Sequence, residues 1–162
     1  MQVTYRDFFK AFGYSEKDTL YLRRFHDKDK SQHPCNMSCE LGQIDTLAKN
    51  MKSFNENGYG IFFVVNGGGH DDKSVKTARA QFIDMDDFSF EEQWRRVNEF
   101  QLEPSIILKT KKSLHCYWLL DNGDIKLFRD VQERLIQHFA SDGAVKNESR
   151  VMRLYGFYHQ KE

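Results

Sequence analysis

The sequence carries no net charge: 24 Lys and Arg balance 24 Asp and Glu over 162 residues. Bulk electrostatics therefore give no argument for a nucleic-acid partner, and any basic surface has to be local. No apolar stretch approaches the roughly 18 residues of a membrane span, and nothing near the N-terminus reads as a signal peptide, so no membrane partner is expected. Cysteine is scarce, with Cys35, Cys39 and Cys116 only. An odd count without framework spacing fits a reducing compartment, and the cytoplasm is the expected location. No C-x-x-C pair occurs, so His33, Cys35 and Cys39, with His26 nearby, do not make a standard zinc pattern, and no zinc is expected. The glycine-rich "NGGGHDD" lacks both the Lys-Ser/Thr of a phosphate loop and the spacing of a dinucleotide fingerprint. Its glycines read as a tight turn, with Asn66 before them at a strand end that faces the site. Repeats, low-complexity tracts and linkers are also missing, so residues 1–162 read as one domain, with residues 1–58 its less recognisable part.

Aromatic residues make up 14% of the chain, 14 of them Phe, so large rings must do much of the packing. "TYRDFFKAFGY" opens with Thr4, carries Asp7 three residues later and ends at a glycine, the signature of a short capped helix. The polar stretch "YLRRFHDKDKSQHPCNMSCE" reads as a long loop or arm. Helices are expected near 43–56, 89–100 and 124–140, the second capped by Ser89 with Glu92 reaching back. In the third, Ile125, Phe128, Val131, Leu135 and Phe139 are assigned to one face. Strands are expected at "GIFFVVN", "ARAQFIDMD", "PSIILKT" and "LHCYWLL", and the last piece, "RVMRLYGF", is strand-like. Trp94 and Trp118 are assigned to the core. The mixture predicts an α+β fold with a mixed or antiparallel sheet flanked by helices.

The chemistry begins at "FIDMDD". Alternation along a strand puts Asp84 and Asp86 on one face and Ile83 and Met85 on the other. Two carboxylates one pleat apart repel, and a hard divalent cation removes that repulsion. On these residues alone, a solvated turn and a metal site both stay open. In "KKSLHCYW", Ser113, His115 and Tyr117 share a face, beside Lys111 and Lys112 in a basic turn. His115 is either a structural histidine or a phosphate donor. In "SDGAVKNESRVMRLYGF", Asp142 precedes Arg150 and Arg153, which read either as surface ion pairs or as bidentate phosphate clamps.

The order D-x-D, then S-x-H, then a lone Asp, closed by "RVMRLYGFYHQK", resembles the archaeo-eukaryotic primase superfamily. More narrowly it is similar to RepB-like primase and primase-polymerase domains of plasmids, phages and integrated elements. The resemblance runs from about Tyr59 to Lys161. It implies an RNA-recognition-motif-like sheet and a metal-dependent, template-directed nucleotidyltransferase that uses Mg²⁺ or Mn²⁺, as a pair of ions. By it, Asp84, Asp86 and Asp142 hold metal, His115 and Ser113 meet the phosphates, and Arg150 and Arg153 lie near the nucleotide, with Lys111, Lys112 and Asn66 as further candidates. The implied partners are nucleoside triphosphates, single-stranded template and primer, and a helicase in the same or a neighbouring chain, as in a longer replication protein. Two departures stand out: Tyr155 sits where the family usually has Pro, and Lys111–Lys112 replace a Ser- and Gly-rich turn. Alternatives from other classes are a metal-dependent nuclease and a non-catalytic nucleic-acid-binding module.

Overall fold

The computed structural model describes residues 3–160; Lys161, the far end of the resemblance, lies outside them. The chain runs α1 (Tyr5–Ala11), β1 (Thr19–His26), β2 (Cys35–Glu40), α2 (Ile44–Glu56), β3 (Tyr59–Val64), β4 (Thr77–Asp84), α3 (Phe90–Glu99), β5 (Ile106–Lys109), β6 (Leu114–Asp124), α4 (Ile125–Phe139) and β7 (Val151–Arg153). The α+β class is as expected, and every strand pair is antiparallel. The strands divide into two sheets, β2-β1-β3-β7 and β4-β6-β5, where one was expected. Among the described residues no helix is long and apolar enough to cross a membrane.

Local signals explain most boundaries. Thr4 and Asp7 form the full capping box of α1. Ser89 caps α3, but Glu92 does not reach back; its carboxylate bonds Arg95 and Arg96 instead. The polar stretch after α1 is a hairpin, β1 with β2, and not a loop. Leu20 and Leu22 bury one face of β1, and on β2 exposed residues alternate with half-buried ones.

Two cores result. In the first, Phe8 and Phe9 of α1 and Phe12 at its C-cap meet Phe63 of β3, and Phe12 reaches Tyr117 of β6 with ring centroids 5.2 Å apart. The second sheet thus has both faces covered: Phe82 and Tyr117 enter this first core. Ile83, Cys116 and Trp118 enter a second core with Val97 of α3 and Phe139 of α4. Trp94, assigned to the core by sequence, is 38% exposed; on a ten-residue helix whose buried side chains are Gln93 and Val97, its position points away from the sheet.

β4 is an edge strand, yet its outer edge is occupied. Asn66 Oδ1 accepts from Arg79 N at 2.8 Å. Gln132 accepts from Phe82 N at 3.1 Å and donates to Phe82 O. Asp142 N donates to Asp84 O at 2.9 Å. Two side-chain amides and one main-chain N–H therefore replace the missing strand, which satisfies buried backbone groups that would otherwise be orphaned. The same amides hold the segment after α4: Asn66 donates to Glu148 O and Gln132 to Val145 O.

Candidate active site

Both sheets contribute to one open cleft, about 630 Å³ including the space open to solvent. Its lining includes Asp84, Asp86, Lys111, Lys112, Ser113, His115, Asp142, Arg150 and Arg153. Of the ten sequence-predicted site residues, only Asn66 is not among them; its amide is committed to the edge of β4 and to Glu148 O.

Asp84 ends β4 directly opposite His115 of β6. His115 Nε2 stands 3.4 Å from Asp84 Oδ2. Burial by itself would raise the Asp84 pKa, but hydrogen bonds from His115 and Ser113 and the charges of His115 and Arg150 outweigh it, so the carboxyl is held below its usual value. Asp86 lies just past the strand in a turn, and Met85 before it continues the alternation into the second core. Its pKa is raised by burial and then by the negative charges of Asp84, Asp87 and Asp142. Asp142 is placed through its main chain, by the bond to Asp84 O, and its Oδ1 accepts from Ala144 N at 2.9 Å.

Beside Asp84 stands the Thr110–Ser113 turn. Thr110 N donates to Ser113 O at 2.8 Å, and the two hydroxyls lie 3.1 Å apart. Fully buried Gln93 of α3 holds this turn: its amide donates to Phe88 O and Lys112 O and accepts from Leu114 N at 2.7 Å. One side chain thereby ties the acidic turn after β4 to the basic turn before β6. Gln93 and Gln132 escaped the sequence reading; the signal was there, since each polar amide falls on the buried stripe of its helix.

The Arg153 guanidinium lies 4.6 Å over the Phe62 ring and bonds Asp27 Oδ1 at 3.2 Å. Asp27, an acid the sequence reading also missed, accepts from Gln160 N with its other oxygen at 2.8 Å. Burial raises the Asp27 pKa, but the bonds from Gln160 and Arg153 and the charges of Arg153 and His159 more than offset this, and the net value is lowered. A group lowered on folding stabilises the fold above its unfolded pKa, and that contribution is lost as pH falls through the folded one. The melting temperature should therefore drop below about pH 4, the ordinary Asp value. Asp27→Asn should be less stable at pH 7 and flatter across that acid window. Equal pH slopes for the two proteins would refute the assignment.

The carboxylates suit a divalent cation. Asp84 Oδ1 and His115 Nδ1 are buried without a protein partner, and Asp86 bears the repulsion of three neighbouring acids. Among the described residues no three His, Cys, Asp or Glu side chains come together so as to hold a metal ion by themselves. Mg²⁺ does not require such a group, because it is commonly held by one or two carboxylates together with waters and substrate phosphates.

The α+β fold of two antiparallel sheets flanked by helices matches that of archaeo-eukaryotic primase (AEP) domains. Among solved structures, the chain is similar to the AEP domain of a primase-polymerase from cyanophage S-2L, at 25% identity and TM-score 0.78, over 94% of this chain and 80% of that one. It is also similar to primase RepB′, at 16% identity and TM-score 0.69, where it spans 49% of the longer chain. A catalytic domain of RepB′ solved with initiator DNA gives 16% identity and TM-score 0.66, over 94% of this chain and 74% of that one. No family model and no curated protein matches the sequence.

Proposed function

We propose that the protein is a metal-dependent, template-directed nucleotidyltransferase, a primase or primase-polymerase catalytic domain serving replication of a mobile element or phage. The observation that carries this reading is one cleft lined both by the acids Asp84, Asp86 and Asp142 and by the cations Lys111, Lys112, Arg150 and Arg153. Asp84, Asp86 and Asp142 would hold Mg²⁺ or Mn²⁺. When bound, the metal supplies Lewis-acid charge at the α-phosphate and favours ionisation of the attacking 3′-hydroxyl. The 3′-oxygen forms the new bond to the α-phosphorus, and pyrophosphate leaves. The chain's own part is to bind and orient: His115 and Ser113 offer hydrogen bonds to the phosphates, and the cations lining the cleft neutralise the triphosphate. The similar RepB′ catalytic domain binds initiator DNA, which supports single-stranded template and primer as partners here; a helicase in the same or a neighbouring chain would supply the strand.

The purified chain, incubated with labelled nucleoside triphosphates, single-stranded template and Mg²⁺ or Mn²⁺, should lengthen a primer or make one. Degradation of labelled DNA without nucleotide would instead indicate a nuclease, and chelator-indifferent binding without synthesis would indicate a binding module. His115→Ala should lower catalytic efficiency by about 10- to 150-fold, the worth of one charge-assisted hydrogen bond of ~1.5–3 kcal/mol. A variant with a melting point lowered by several degrees but normal nucleotide use would make His115 structural.

A further inference from the structure

Strand alternation gives the first sheet a second face, opposite the side that enters the core. Tyr21, Arg23 and Phe25 of β1, Asn36 and Ser38 of β2, Phe62 of β3 and Arg153 of β7 lie on it. The register draws four of these into one row across all four strands: Asn36 faces Arg23, Arg23 faces Phe62, and Phe62 faces Arg153. With neighbouring strands ~4.8 Å apart, the row spans about 14 Å. Its inner end, Phe62 and Arg153, is part of the cleft wall. The outer part of the face is exposed at Asn36 and Ser38 and partly so at Arg23 and Phe25, with His70 packed on Tyr21 beside them.

The row is built. Phe25 and Phe62 meet edge to face, centroids 5.2 Å apart at 88°. Arg23 donates from Nε to Asn36 Oδ1 at 2.7 Å and from Nη2 to His70 O at 3.1 Å, with its guanidinium 6.0 Å from the Phe25 centroid. Opposite Phe25 stands Gly60. A Cβ there would come within 2.6 Å of Arg153 Nη1 and 2.8 Å of Phe62 Cε2, so only glycine leaves Arg153 its place over the Phe62 ring. Of the acids at this face, Asp27 is paired with Arg153, and Glu40 sits at the far end of β2 beside Thr19.

Half-exposed aromatic rings interleaved with arginines on an open sheet suit unstacked bases and a phosphate backbone, whereas a duplex keeps its base faces inside. We propose that this face is a platform for single-stranded nucleic acid, with a base stacking on Phe25 beside Phe62, Arg23 holding the backbone, and the strand running along the row into the cleft at Arg153. The proposal deepens the nucleotidyltransferase reading by seating the template strand, and it is tested apart from it.

The test is fluorescence anisotropy of a labelled oligothymidylate of about 20 nucleotides, in chelator and without nucleoside triphosphate. Wild type should bind it, and bind a duplex of equal length more weakly. Phe25→Leu, which keeps apolar contact with Phe62 but removes the flat ring, should weaken binding by about 5- to 150-fold, the loss typical of one base–aromatic stack. Arg23→Ala should weaken binding and reduce the slope of log K against log salt by about 0.7. Affinities of both variants within twofold of wild type, with unchanged melting temperatures, overturn the proposal, as does wild-type protein that ignores the oligonucleotide. Should Phe25→Leu melt early, Arg23→Ala decides alone. Normal, variant-sensitive strand binding without any synthesis would leave the platform standing and defeat the nucleotidyltransferase reading; normal synthesis with variant-insensitive binding does the reverse.

Discussion

Replacing Asp84 with asparagine should reduce nucleotide incorporation by ~10³-fold or more while leaving the fold intact. The floor comes from the ~10²–10³-fold that loss of a single preorganised transition-state group already costs; a metal ligand does at least that work, because it also sets the geometry of attack. Stability should change little, for opposing reasons. The amide oxygen of the replacement would still offer His115 an acceptor at the position where Asp84 Oδ2 now stands, 3.4 Å away. Loss of the charge also relieves Asp86, whose pKa Asp84 pushes upward. Titration with Mn²⁺ in the presence of nucleotide should show weakened metal affinity in the variant. Wild-type incorporation by Asp84→Asn would end the three-carboxylate proposal, and a large drop in melting temperature would mean the residue holds the fold together.

The candidate site was legible in the sequence because its residues sit where strand alternation puts them: Asp84, Ser113 and His115 all reach the cleft. What was misread follows from side chains whose partners lie far away in sequence. On α4 the 3-4-3-4 spacing from Ile125 runs through Gln132, yet hydropathy favours Val131; the structure buries Gln132 completely and leaves Val131 40% exposed. The amide belongs inside because the unpaired edge of β4, some fifty positions earlier, needs both a donor and an acceptor. The β1–β2 hairpin was hidden for a related reason. Its outward side mixes Tyr21 and Phe25 with Arg23, Asn36 and Ser38, so apolar residues fall on both faces of β1 and no clean alternation marks the strand. That outward side is the proposed platform for a single strand. Asn66, expected to face the site, supports it from behind instead.

Gln132→Leu should be the most destabilising single change away from the aromatic core. It strands Phe82 N, Phe82 O and Val145 O, all in buried surroundings, and each unsatisfied group costs ~1–3 kcal/mol. With partial relaxation a total of about 3–5 kcal/mol lowers the melting temperature by roughly 10 °C at ~2–4 °C per kcal/mol for a chain of this size. Gln132→Glu, which keeps the acceptor for Phe82 N but loses both donations, should be harmful as well. Nucleotide binding at low temperature should also weaken, because the segment that Gln132 holds at Val145 carries Asp142 and leads to Arg150. A shift under 3 °C in calorimetry would show that water or a rearranged α4 takes over these bonds.

The pairing of β3 with β7 sets a timetable for the protein's birth. Strands β1, β2 and β3 are close in sequence and can zip early, but the fourth strand of their sheet is made of residues 151–153. The Asp27–Arg153 bond spans 126 positions, and Gln160 reaches back over 133. Contacts of such separation close large loops before any pairing energy is gained, which slows folding. On the ribosome, the growing chain therefore exposes the β3 edge and an incomplete cleft until residues 151–153 have emerged. The proposed β1 platform and the Asp84–His115 pair of the second sheet can form during that interval, whereas Arg150 and Arg153 join the cleft only with β7.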